Sequence, residues 1–349
     1  MERPDLSQVD PVVRGYIEHL EAELAHLRAD GDEAPAEPPL VPGEPPTSLN
    51  VITLSRAGLG KRAPRHWYTR QRRGGMGLLD LEAAEGDPPA GLVIADERAH
   101  LLMITSQARA FRLPVYYLNE PATARGRPQP FLESLDLSPG ETWAAALPAQ
   151  TQGYLAVASV NGHVRVWPAH LFGETGRVGA SVLRVDETGA PAAACWATGD
   201  SDLFLATRRG LAARFPVKSV PAPGAVGLRL EPDDALVAIT AVRPDSGVFL
   251  LGADGRGSIR LMSGFSANKA PGVVGKLALK TETLVAAAAV GGGDDVFILS
   301  RLGKIIRFQA SEVPAKEGVV QGVICMSLRG DHCLAAAVGH PLAAASAPA

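Results

Sequence analysis

Six segments of one form recur along the chain, and they constrain its fold more than any other feature. They are Val51–Pro64, Leu101–Pro114, Tyr154–Pro168, Leu203–Pro216, Val248–Ser263 and Val296–Gln309. Each has an apolar run, a turn that usually carries glycine, and a second run with a basic residue near its start or middle. Alternating apolar runs around such a turn predict a β-hairpin. The turn positions Gly58, Ala108, Gly162, Gly210, Gly255 and Gly303 fall 45 to 54 residues apart. A fixed period of this size means that one supersecondary unit is repeated and that its faces are covered by its neighbours.

A second element lies between hairpins: a glycine-containing link followed by an apolar strand. Gly224–Gly227 before Leu228, Gly272–Gly275 before Leu277, and Gly318–Gly322 before Val323 are examples. A further strand follows, as at 235–242 and 283–290. Each unit then supplies about four strands, which is the arithmetic of a propeller blade. The predicted fold is all-β: a six-bladed β-propeller of four-stranded blades over residues 47–340, closed so that few strand edges are exposed. A series of β-sandwiches with chance spacing is the competing reading. Gly (37) and Pro (28) are abundant and aromatics make up 5%, which suits many tight turns between short strands.

The ends differ from this repeat. Asp10-Pro11 forms a helix start, and Val13, Ile17, Leu20, Leu24 and Leu27 follow at heptad spacing. Residues 1–31 are thus expected to hold a short acidic amphipathic α-helix, 32–46 a proline-rich linker, and 341–349 a flexible tail. A seam of two heptads allows self-association through residues 10–30, docking on a partner protein, or simple packing against the same chain. Residues 1–46 hold 11 acidic residues against three arginines, a net charge of −8, so the chain's −3 leaves the remainder at +5. Cys195, Cys325 and Cys333 show neither disulfide-framework nor zinc spacing. With no signal peptide and no apolar run long enough for a bilayer, a cytoplasmic, nucleoid-associated protein without a membrane partner is expected.

Between the first hairpin and the next strand stands Gln71-Arg72-Arg73-Gly74-Gly75-Met76-Gly77. This resembles the box QRRGGKG of the C-terminal domain of the DNA gyrase A protein, six residues of seven, with methionine in place of lysine. The other hairpins are similar to that family's repeats, so the resemblance extends over 47–340. It implies a β-pinwheel, a propeller whose blades exchange strands, with a basic outer edge around which DNA wraps. Nothing in residues 1–46 corresponds to the DNA-cleaving portion with its catalytic tyrosine, so a stand-alone, non-enzymatic relative is expected, accessory to a type II topoisomerase.

Binding DNA without reading sequence is chiefly neutralisation of phosphates by Lys and Arg. Arg56, Lys61, Arg62, Arg65, Arg70, Arg72 and Arg73 fall in one stretch, 56–73, that contains no Asp or Glu. Gln71 and the glycines Gly74, Gly75 and Gly77 of the box are expected beside them, the glycines exposing amides to phosphate. Arg112, Arg214, Arg260 and Arg307 recur on the second hairpin strands, with Arg208, Arg209, Lys218, Arg301 and Lys304 nearby, and are expected to form a track around the ring. Val166 breaks that series in the third repeat. The bland alternatives are a solvated loop and edge-blunting surface charges. No P-loop, no GxSxG and no metal-ligand spacing occurs, and Asp200-Ser-Asp202 and 291–295 read as turns. The expected function is double-stranded DNA binding, with wrapping or bending, without cofactor, metal or catalysis. The alternative is a protein-interaction scaffold.

Overall fold

The computed structural model describes residues 44–82 and 86–341, together with Val13 and Ile17. The helix, most of the linker and the tail expected at the two ends fall outside the described residues.

All six repeats form hairpins: Leu49–Ser55 with Leu59–Pro64, His100–Thr105 with Arg109–Pro114, Tyr154–Ser159 with His163–Pro168, Asp202–Thr207 with Leu211–Pro216, Gly247–Gly252 with Arg256–Leu261, and Asp295–Ser300 with Lys304–Gln309. These define blades 1 to 6. A local device starts five of the six turns. The hydroxyls of Ser55, Thr105, Ser159, Thr207 and Ser300 each accept the amide four residues on, at 2.9–3.3 Å. Such side-chain acceptors stabilise a tight turn before any tertiary contact forms.

The third strand of each blade is the inner one: Pro89–Asp96, Trp143–Pro148, Pro191–Ala197, Leu236–Val242, Leu284–Val290 and Cys333–Gly339. It pairs antiparallel with the first hairpin strand and packs against the inner strands of both neighbouring blades, so the six close a ring. The inner strands are rich in alanine, as in Leu284–Val290 (LVAAAAV) and Cys333–Gly339 (CLAAAVG). Small side chains let six strands converge on one axis. The first hairpin strands lie between sheets and are buried almost throughout, which is why Val248–Leu251 and Val296–Leu299 read as unbroken apolar runs.

The fourth, outermost strand is the departure from four strands per unit. It comes from the following unit. Blade 1 takes Gln129–Pro130, blade 2 Ala180–Ser181, blade 3 Ala225–Val226, blade 4 Lys276–Leu277, and blade 5 Ala315–Lys316 with Val323–Ile324. Blade 6 takes Leu78–Leu79 from the first unit, pairing Lys304 with Leu79 and Ile305 with Leu78. The chain therefore closes its ring by its N-terminal side. The exchange is locked at each hairpin turn, whose carbonyl accepts an amide of the incoming link: Phe131 to Gly58, Val182 to Ala108, Leu228 to Gly162, Ala278 to Gly210, Cys325 to Gly255 and Asp80 to Gly303. Gly303 shows why glycine dominates here. Its φ is +76°, and a Cβ would sit 2.1 Å from the Leu81 carbonyl oxygen. Indole N–H groups add links between blades: Trp143 donates to Ser55 O at 2.8 Å and Trp196 to Pro148 O at 2.7 Å.

Candidate nucleic-acid interface

The box at 71–77 is the link that carries blade 1's chain onto blade 6. Its backbone is tied down along its length. The Gln71 amide donates to Arg307 O (2.7 Å), the Gly74 amide to Cys325 O (2.8 Å) and the Gly75 amide to Arg72 O (3.2 Å). The exposed amides expected of Gly74 and Gly75 are thus already paired within the protein. The glycines serve close approach instead: at Gly77, with φ of +73°, a Cβ would stand 2.7 Å from Ile305 O. Two side chains of the box project outward, Arg72 and Met76, both exposed. Arg73 is half-buried, its guanidinium donating to Glu312 O (2.8 Å) and Ile324 O (3.2 Å) and its amide to the Glu312 carboxylate (2.9 Å).

The acid-free run separates into two groups. Lys61 and Arg65 are completely buried, so neither has surface to offer a phosphate. Lys61 Nζ lies 2.7 Å from Asp80 Oδ1, and the same carboxylate accepts from Thr53 Oγ1 at 2.8 Å and from the Tyr68 hydroxyl. Burial and the Asp80 charge push the Tyr68 hydroxyl well above its ordinary pKa. This cluster holds Asp80 where the link leaves blade 6. Arg65 pairs with Glu44 and donates to His340 O at 2.8 Å. Arg70 reaches Asp295 at 2.7 Å, and Arg62 pairs with Glu120. The acids absent from the local sequence are supplied by distant segments. Arg56 and Arg72 remain exposed, with no ionic partner among the described residues.

The repeat arginines do not form an outward track. Arg214 pairs with Asp202 (2.8 Å) and donates to the Met262 and Phe265 carbonyls of blade 5 (2.9 and 3.0 Å). Arg307 pairs with Asp295 and Glu44, and donates to the Arg65 and Tyr68 carbonyls of blade 1 (3.2 and 3.1 Å). Burial alone would raise the Glu44 carboxyl; hydrogen bonds from Arg65 and Arg307 outweigh it and hold it below the usual carboxylate range. Arg260 is buried, donates to Gly264 O at 3.2 Å and lies over the Phe265 ring. Arg214 and Arg307 thus join one blade to the next. Asp202 and Asp295, expected in turns, are instead the first residues of hairpin strands and the partners of Arg214 and Arg307. Arg112, the equivalent residue of blade 2, is half-buried. In blade 3, where Val166 takes the position, Arg165 stacks on Trp167 at 3.9 Å. Arg208, Arg209 and Arg301 sit exposed at hairpin turns, Arg209 beside Glu231 (3.5 Å); Lys218 is exposed on the turn after blade 4's hairpin, and Lys304 is half-buried.

Cations that the sequence reading passed over lie on the exchanged links at the outer rim. Arg125 and Arg127 flank blade 1's outer strand, Arg177 precedes blade 2's, and Arg229 follows blade 3's. Lys269, Lys276 and Lys280 serve blade 4 and Lys316 blade 5, while Arg72, already named from the sequence, serves blade 6, all exposed. Arg125 and Arg127 share Glu82 at 2.8 and 3.7 Å. Every blade rim thus carries at least one cation. The signal was present, since each lies within about six residues of the short link strands, but only the strand exchange puts them on one edge.

Comparison with known proteins agrees with this geometry. The family model of the DNA gyrase C-terminal domain, a β-propeller, matches residues 49–87, 99–126, 201–243 and 294–338. The DNA gyrase A protein of Escherichia coli (strain K12) is 26% identical over 292 residues, covering 80% of this chain and 33% of that protein. Its counterpart from Chlamydia muridarum is 28% identical over 302 residues, covering 82% and 36%. The chain therefore spans about a third of the length of these relatives. A solved DNA gyrase A C-terminal domain superposes with a TM-score of 0.75 at 20% identity, covering 83% of this chain and 99% of that one. The C-terminal domain of DNA topoisomerase IV gives 0.56 at 15% identity, covering 83% and 93%. With the repeats, the box and the strand-exchanged ring in agreement, the chain resembles the DNA gyrase A C-terminal β-propeller family.

Proposed function

We propose that the propeller binds double-stranded DNA without sequence preference along its outer rim, with Arg72 of the box and the link cations as its phosphate contacts. The carrying observation is that each exchanged link brings one or more exposed cations to the same edge, while the hairpin arginines are used inside the fold. Repeated single charges on a curved edge suit a bent duplex, where affinity comes from backbone contacts and deformability rather than base reading. Acting beside a topoisomerase is part of this reading, from the resemblance. The contacts expected of Lys61, Arg65, Arg214, Arg260 and Arg307 drop out of it. Binding of the full chain to a duplex of about 40 base pairs, followed by fluorescence anisotropy against salt, tests it. Affinity falling steeply with salt is expected, with the log–log slope reduced by about 0.9 for each contact removed.

A second reading is favoured by one observation. The rim also exposes apolar side chains: Val178 (76%), Val274 (63%), Met76 (50%) and Ile324 (47%). Such side chains favour a protein partner on the same edge. Absence of duplex binding at low salt would select that scaffold role.

A further inference from the structure

Blades 4 and 6 join to the next blade by one rule: an arginine on the second hairpin strand pairs with an aspartate at the start of the first, Arg214 with Asp202 and Arg307 with Asp295. In register, Asp202 faces Pro216 and Asp295 faces Gln309. In blade 2 the residue facing Pro114 is His100, and the arginine is Arg112. The carboxylate is missing. Arg112 Nη1 is buried without a hydrogen-bond partner among the described residues. It lines a cavity of about 310 Å3 bounded by His100, Phe111, Glu174, Arg177 and Val178, where blade 3's link crosses toward blade 2's rim. A buried guanidinium N–H left unpaired is costly, and the matching group is an oxyanion. Blade 5 also lacks the carboxylate, with Gly247 in its place, and Arg260 Nε and Nη1 are likewise buried without a partner among the described residues, but there the Phe265 ring lies 5.6 Å from the guanidinium.

We propose that the cavity between blades 2 and 3 is an oxyanion site that takes a phosphate group, with Arg112 as its main ligand and His100 as a proton-dependent second donor. The bound group stands where Asp202 and Asp295 stand in blades 4 and 6. Arg177 adds positive charge to the lining, while the Glu174 carboxylate works against an anion there. Burial first, and then the Arg112 charge, hold His100 below its ordinary pKa, while Glu174 acts the other way. An anion beside the ring favours the protonated imidazole, so binding of a phosphate of fixed charge is expected to strengthen as pH falls.

The site does not depend on the DNA-binding reading, and the test separates the two. The probe is sodium phosphate, added to the full chain at fixed ionic strength against chloride and read as thermal midpoint. The variants are His100→Asp, which supplies the internal carboxylate of blades 4 and 6, and Arg112→Met. For wild type a rise of about 2–4 °C at ten times the dissociation constant is expected, with no such rise in either variant. His100→Asp keeps the test decisive if Arg112→Met fails to fold. Equal shifts in wild type and His100→Asp, or no shift in wild type at pH 6, would overturn the site. A parallel arm measures the salt slope of duplex binding. A slope lower by about one in His100→Asp makes the ligand a backbone phosphate of DNA; an unchanged slope with the phosphate-specific stabilisation intact makes it free phosphate or a monoester.

Discussion

Arg307 on a hairpin strand and Lys276 on an exchanged link represent two regions that use the same kind of charge oppositely. Arg307 is 3% exposed and meets Asp295, Glu44 and two carbonyls of the next blade. Lys276 is exposed, and its ammonium meets the Ser266 hydroxyl at 3.4 Å. The hairpin strands lie between neighbouring sheets, where a charge is tolerated only with full pairing. The links run over the outside, where a cation keeps its hydration and stays available to a partner. In this ring, position along the blade decides what an arginine or lysine does, and local charge density in the sequence does not.

That contrast can be broken from the hairpin side first. Asp295→Asn leaves Arg307 and Arg70 without their shared carboxylate, and a loss of about 3–5 kcal/mol in denaturant unfolding is expected. Lys61→Met strands the buried Asp80 and is expected to cost a similar amount. Its effect should shrink sharply in the double variant with Asp80→Leu, since an apolar replacement of both partners removes the unpaired charge. A loss below about 1 kcal/mol for either single variant would mean that these cations are not internal joints between blades.

A pH titration probes the same region in blade 2. Hydrogen bonds from Arg109, the strongest of them, and from Thr105 and the Ser138 amide hold the Glu141 carboxyl at about 2, although burial opposes them. The folded pKa is depressed, so its stabilisation is present above the unfolded value near 4.5 and is lost as pH falls from there to about 2. The expected contribution is on the order of 2–3 kcal/mol, and Glu141→Gln should flatten the acid limb of the stability curve.

The rim should respond in the opposite sense. Replacing Lys269, Lys276 and Lys280 together by Gln is expected to leave stability within about 0.5 kcal/mol and to lower the salt slope of duplex binding by about 2–3. Arg72→Ala should lower it by about one. Arg73→Ala should act mainly on stability, because its guanidinium caps carbonyls at Glu312 and Ile324. If Arg73 changed the slope and Arg72 did not, the division of the box into an outward and an inward arginine would be wrong.

By itself the sequence determined the repeat, the hairpins, the six blades and the position of the box. Those features depend on period-two apolar alternation, turn glycines and hydroxyl acceptors a few residues away, all local in the chain. Only the tertiary structure decided that the fourth strand of each blade belongs to the next unit, and that Leu78–Leu79 close the ring on blade 6. It also decided that Lys61, Arg65 and Arg70 find their acids at Asp80, Glu44 and Asp295. A run without acids looks like a free basic patch because charge pairing depends on distance in space, and two of those three partners come from outside the 56–80 segment. The physical reason is the ring: it brings residues 44, 65–73, 295–312 and 324 together at one junction, where proximity in sequence carries no information.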